Sequence, residues 1–223
     1  RALRWPVRME RSPAHLETWE RRHGAALARS PGTAAAPRSR ERGAARRVGL
    51  DSPYDWCRGK GGFMALTMAC RASDKIAAAG SVTGFMGLEF AKICAPSRPV
   101  PVAIIAGDTD PIVSFTGGEL QAGRGPIIGA EDTFKRWAEL DGCTGAPTVT
   151  ELPDLDPADG TRVERREFQA CRGGSAVRLD VVKGGGHTWP RGDRYLPEGV
   201  VGKTSRDLDA SKALWAYFKT VSR

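Results

Sequence analysis

The 223 residues carry 34 Lys and Arg against 26 Asp and Glu, a net charge of +8, and 40% are hydrophobic. No apolar stretch approaches the roughly 20 residues that a transmembrane helix needs, so no membrane span is expected. The charge is unevenly placed: residues 1–50 hold 12 Arg, no Lys and 4 Glu, while residues 51–223 hold 22 basic and 22 acidic side chains. A nucleic-acid or anionic-membrane partner is therefore a question for the first fifty residues only.

Ten Ala, four Pro and four Gly accompany the 12 Arg of that first segment, and no apolar periodicity persists through it. Such a composition buries too little apolar surface to offset the entropy of ordering it. It contains no apolar core followed by a small-residue cleavage site, so a secretory signal peptide is not expected, and a start at Arg1 suggests a fragment or a processed chain. Arg21-Arg22 and Arg46-Arg47 would neutralise phosphates. Without a nucleic-acid-binding fold, an aromatic platform or a zinc pattern, only weak, salt-sensitive binding is expected and no specific nucleic-acid partner.

From about Gly61 the texture changes. Residues 61–71 (GGFMALTMACR) predict a buried helix, and 76–82 a short strand. Residues 100–106 (VPVAIIA) form a near-continuous β-branched run of the kind found in parallel strands covered on both faces. Residues 131–140 put Phe134, Trp137 and Ala138 on one face, with Glu131 and Asp132 where a helix dipole favours acids. Residues 148–152 and 163–168 predict two strands around an Asp159-Gly160 turn, and 177–182 a third that ends in a glycine run. The final helix spans 207–221, with Ser205 or Asp207 as its cap. Strand and helix in alternation indicate an α/β fold with a parallel sheet.

Three motifs stand in order at the ends of these strands. They are a glycine turn before a helix (59–62, GKGG), Gly107-Asp108-Thr109-Asp110-Pro111, and Gly184-Gly185-Gly186-His187-Thr188-Trp189-Pro190. Glycine turn, acid, histidine is the chain order of α/β-hydrolase catalysis, in which the acid orients an imidazole that acts as general base and then general acid.

Residues from about Cys57 onward resemble the polyhydroxybutyrate depolymerase, LpqC and feruloyl-esterase-like family of α/β hydrolases. The resemblance rests on GGFMALTMAC, CAPSRPVPVAIIAGDTDPIVSFTGG, WAELDGC, LPDLDPADGT, GGGHTWP and TSRDLDASKALWAYF. It implies a secreted, extracellular, serine-type carboxylic-ester hydrolase that uses no cofactor or metal and acts on a small-molecule or polymeric ester. The implied acid is Asp110, with Asp108 as the alternative, and the implied base is His187. Trp189 is a candidate for the substrate pocket, a packing role being the other reading. The resemblance also implies disulfides Cys70–Cys94 and Cys143–Cys171, leaving Cys57 over from five cysteines, and an oxidising compartment.

One position departs from the pattern. The family's elbow reads Gly-x-Ser-x-Gly-Gly-x-Met-Ala, and aligning residues 61–65 places Gly59 where the nucleophilic serine belongs, with the Lys60 amide as one oxyanion donor. Glycine cannot attack a carbonyl, and losing a triad nucleophile costs on the order of 10^6 in turnover, so no measurable esterase activity is expected. Ser52, Ser73 and Ser81 lie in no comparable turn, and Cys57 sits two residues too early. The other oxyanion loop and its strands are not legible in residues 1–56, where only 48–50 (VGL) suggests a strand entering the elbow. Residues 1–56 are thus expected to be a basic segment outside the fold, and 57–223 a partial, N-terminally incomplete α/β-hydrolase domain. The abrupt junction suggests an out-of-frame translation or a mispredicted start, the competing reading being a pseudoenzyme with a natural basic tail. Asp154, Asp156 and Asp159-Gly160 imitate a calcium loop but with the wrong spacing, and a turn built on Asp side chains is expected there. Arg191-Gly192-Asp193 matches an adhesion tripeptide by letter only.

Overall fold

The computed structural model describes residues 55–120 and 124–221. The elements in chain order are β1 (Asp55–Arg58), α1 (Lys60–Arg71), β2 (Ala79–Val82), α2 (Leu88–Ile93), β3 (Val102–Gly107), β4 (Gly117–Glu119) and β5 (Pro126–Ile128). These are followed by α3 (Ala130–Leu140), β6 (Thr148–Glu151), β7 (Arg162–Phe168), β8 (Val177–Lys183), α4 (Glu198–Val201) and α5 (Ala210–Val221). Six strands form one sheet in the order β1-β2-β3-β8-β7-β6, and β4 pairs with β5 as a separate antiparallel ribbon.

The sheet is mixed, which corrects the expectation of a parallel one. β1, β2, β3 and β8 run parallel, but β7 is antiparallel to both β8 and β6. The cause is the length of the connections. Residues 152–161 and 169–176 are too few for the crossover that a parallel pair needs, so these strands return as hairpins.

Burial on β3 alternates between two apolar layers. Val102, Ile104 and Ala106 face a core that includes Leu66 of α1, Ala91 of α2 and Phe134 and Trp137 of α3. Ala103 and Ile105 face a second core with Leu214, Tyr217 and Phe218 of α5. A strand covered on both faces has no polar side, which is why its sequence reads as a continuous apolar run. Farther out, β7 carries charge on both faces: Arg165 holds Asp180 of β8 through two hydrogen bonds of 2.7 and 3.0 Å, and Arg166 reaches Glu131 of α3 at 2.7 Å.

The structure joins Cys70, near the end of α1, to Cys94 just beyond α2, and Cys143 after α3 to Cys171 after β7. No helix among the described residues is long and apolar enough to cross a membrane.

Several sequence expectations shift in detail. The strand leading into the elbow is Asp55–Arg58, while residues 48–50 lie outside the described residues. The last helix starts at Ala210, where the Asp209 side chain accepts the Lys212 N–H at 3.0 Å. Ser205 and Asp207, the expected caps, are engaged elsewhere. The Ser205 hydroxyl meets Thr161 at 2.7 Å, and Asp207 accepts the Leu155 and Asp156 amides at 2.7 and 3.0 Å. The short elements α2, β4, β5 and α4 have too few residues for a period to be read in sequence.

Candidate active site

The parallel strands β1, β3 and β8 end at the same edge of the sheet, and each delivers one of the three motifs there. The carboxyl edge of a parallel sheet is where α/β folds gather their functional groups.

Gly59 joins β1 to α1 with φ 56° and ψ −118°, a conformation that side-chain-bearing residues rarely adopt. The turn is held from below, because the Gly59 N–H donates to the Val82 carbonyl at 3.0 Å and lies 3.3 Å from the Thr83 hydroxyl oxygen. The Gly59 carbonyl accepts the Phe63 N–H at 3.2 Å and so closes the first turn of α1. The amides of Lys60, Gly61 and Gly62 therefore precede the first intrahelical donor, Phe63, at the end of the helix where the dipole favours negative charge.

Asp110 follows β3 after a turn at residues 108–109 and is buried. Its Oδ1 accepts the amides of Ile112 and Val113, both at 2.8 Å, and its Oδ2 lies 2.8 Å from His187 Nδ1. Asp108, the alternative acid, is exposed and accepts the Gly184 N–H at 2.6 Å. The acid beside the histidine is Asp110.

His187 is also buried, and its backbone is clamped by a return of the chain. Its N–H donates to the Val201 carbonyl at 2.6 Å, while the Gly186 N–H donates to Lys203 at 2.9 Å. The approach is close enough that a β-carbon at residue 186 would stand 2.1 Å from the Val201 carbonyl oxygen, so only glycine fits. A carboxylate only accepts hydrogen bonds, which places the imidazole proton on Nδ1 and leaves Nε2 as the basic nitrogen.

That nitrogen faces Gly59. A β-carbon built on Gly59 would lie 3.1 Å from His187 Nε2 and 3.6 Å from Cε1. A hydroxyl one bond farther out would be within hydrogen-bonding reach of Nε2. Glycine supplies no such atom, and the serines nearest in sequence are engaged elsewhere: Ser81 donates to the Gly84 carbonyl at 2.7 Å, and Ser73, beyond the far end of α1, pairs with Ser97 at 2.8 Å. Ser52 lies outside the described residues, as does the side chain of Cys57.

Trp189 packs against the second core, and its Nε1–H donates to Ser211 of α5 at 3.2 Å. The Asp159 carboxylate holds its own turn and a distant segment, with Oδ1 accepting from Thr161 and Oδ2 from the Arg206 amide, and Gly160 beyond it has φ 65°. No cluster of three or more His, Cys, Asp or Glu side chains among the described residues is placed to hold a metal ion. Two contacts of the site carry no readable sequence signal: the Thr83 hydroxyl beneath Gly59, and Tyr195, whose hydroxyl donates to the His187 carbonyl at 3.3 Å. Both residues sit in irregular segments where no period or motif distinguishes them.

No family model matches the chain. It is 35% identical over 132 residues to a protein named feruloyl esterase B from Piromyces equi, an alignment covering 57% of this chain and 23% of that protein. It is 32% identical over 176 residues to one named "Putative esterase NocK" from Nocardia uniformis subsp. tsuyamanensis, covering 75% of this chain and 51% of that protein. The chain thus spans about half the length of the second relative and about a quarter of the first.

Proposed function

We propose that residues 55–223 are part of an α/β-hydrolase domain of the polyhydroxybutyrate depolymerase and feruloyl-esterase type. Asp110 and His187 stand in the acid and base positions of a serine-type carboxylic-ester hydrolase, and Gly59 stands in the nucleophile position. The observation that carries this reading is the 3.1 Å between His187 Nε2 and the β-carbon position of Gly59, on a backbone already turned to φ 56°. The two esterase-named relatives support the same chemistry.

In that chemistry His187 Nε2 takes the proton of the attacking hydroxyl and returns it to the departing alcohol, while Asp110 holds the imidazole and stabilises its charged form. The Lys60 amide donates to the oxyanion, aided by the start of α1. The substrate is a small-molecule or polymeric ester. Without a hydroxyl at residue 59 no acyl-enzyme can form, and the chain as it stands is inactive. The two disulfides support maturation in an oxidising, extracellular compartment. The boundary expected at residue 57 moves to Asp55, where β1 joins the sheet, and the nucleotide sequence upstream of it, read in all three frames, tests whether the preceding segment is an out-of-frame product.

Restoring the nucleophile tests the reading. Gly59→Ser is expected to react covalently with an alkyl fluorophosphonate and to hydrolyse p-nitrophenyl butyrate, while the unmodified chain does neither. A second change, His187→Ala, is expected to abolish both. A serine at residue 59 that reacts no faster than a surface serine, or unmodified chain that turns over the ester in a His187-dependent way, overturns it. The retained Asp110–His187 pair without a nucleophile favours one second reading, a catalytically silent ester-binding protein, which retention of the unmodified chain on insoluble polyester would distinguish.

A further inference from the structure

Residues 191–201 leave the His187 loop and return to it. The return is fixed by the Val201 carbonyl on the His187 N–H at 2.6 Å, and by the Lys203 carbonyl, which accepts from Gly186 at 2.9 Å and from the Thr188 hydroxyl at 3.0 Å. Val201 itself is buried, and Arg194 pairs with Glu198 at 2.9 Å across the outer part of the loop. Midway, the Tyr195 hydroxyl donates to the backbone carbonyl of His187 at 3.3 Å. The loop is therefore tied to the base residue at its return and at its middle.

On this anchored loop, large apolar side chains face solvent: Tyr195 is 43% exposed, Leu196 44% and Val200 51%. The other exposed large apolar side chains of the described residues are Met64, Met68, Ile93, Val149 and Leu155, spread over four separate segments. Scattered surface hydrophobes need no explanation, but three within six residues, on a segment bonded to the His187 backbone at two points, mark a contact surface.

We propose that this loop is the apolar wall of the ester site, with Tyr195, Leu196 and Val200 taking the apolar chain or ring joined to the ester carbonyl. The carbonyl itself lies between His187 Nε2 and the first amides of α1. The assignment rests on the ester-hydrolase reading above and adds to it the residues that select the substrate's apolar part. The loop's charges balance, Arg191 and Arg194 against Asp193 and Glu198, with Arg194 and Glu198 joined in an ion pair, which leaves burial of apolar surface as the selecting force.

The unmodified chain is the right material for the test, since an ester it does not cleave can be titrated as a ligand by calorimetry. p-Nitrophenyl octanoate is expected to bind at least tenfold more tightly than p-nitrophenyl acetate, because each buried methylene contributes a factor of about four. Leu196→Asp/Val200→Asp is expected to reduce that gain below twofold. Val149→Asp, an equally exposed site on β6, is expected to keep the gain. Leu196→Ser, which adds no charge, is expected to lower it in the same direction. Ethyl ferulate distinguishes a ring from a chain: if it gains over the acetate where octanoate does not, and loses that gain in Tyr195→Ser, the wall takes an aromatic group. A chain-length and ring preference absent from the unmodified protein, or retained in both loop variants, overturns the proposal. The fluorophosphonate reaction of Gly59→Ser reports separately on the ester-hydrolase reading, so a labelled serine with no loop effect refutes the wall alone, and a loop effect without labelling refutes the chemistry alone.

Discussion

Asp141 is a fully buried carboxyl at the end of α3. Burial pushes its carboxyl up to about 6, although hydrogen bonds from Ser175 and the Val100 amide, and the nearby charges of Arg172 and Arg98, pull the other way. An unfolded aspartate titrates near 3.8. Between these values the folded chain binds the proton that the unfolded chain has released, so the contribution of this carboxyl to stability is greatest below about pH 4, falls as pH rises to about 6 and is flat above. The loss is on the order of 3 kcal/mol. Asp141→Asn is expected to remove this fall, so urea midpoints of the two proteins should diverge between pH 4 and 7. Parallel slopes across that range would show that Asp141 titrates normally. At the reacting centre, Asp110→Asn in the Gly59→Ser background is expected to slow fluorophosphonate labelling by about 10^4, as the imidazole loses the partner that fixes its proton. Sequence left Asp108 and Asp110 as alternatives because they share one loop and either could point to the histidine. The turn at 108–109 separates them and sends Asp108 to the Gly184 amide instead. Gly59 was legible by its spacing from residues 61–65, but its approach to Nε2 depends on β8, far away in the chain.

At the scale of elements, the second disulfide ties the end of α3 to the end of β7 across 28 residues. Closing a loop of that length in the unfolded chain is worth about 3 to 4 kcal/mol. Cys143→Ser/Cys171→Ser is expected to lose that amount, read as a lower calorimetric midpoint, with no change in the reactivity of Gly59→Ser because neither cysteine lies at the sheet edge carrying the site. An unchanged midpoint would mean the bridge adds nothing to stability. The long elements were readable because burial on two faces writes a continuous apolar run into β3 and a one-sided stripe into α3 and α5. The direction of β7 was not readable from its own residues. Its alternating charges suit either orientation, and the short connections on each side decide it.

For the whole molecule, the division of charge has a direct consequence in solution. Residues 51–223 carry equal numbers of acidic and basic side chains, so the affinity of the chain for an anionic matrix resides in residues 1–50. Removing those fifty residues is expected to move the protein from salt elution to the unbound fraction of a cation exchanger at pH 7. Retention after removal would mean that a basic surface exists elsewhere in the folded part.

The ends of β1, β3 and β8 supply Gly59, Asp110 and His187, and β8 is the last strand of the sheet in chain order. During synthesis or refolding, the Asp110–His187 pair cannot exist until β8 has seated itself between β3 and β7, and pairings between distant segments form late because their loop closure is costly. His187 is also the single histidine of the described residues, the other two being His15 and His23. Its ring resonances therefore act as a clock for the final step of folding, sharpening into one buried environment only when the sheet is complete.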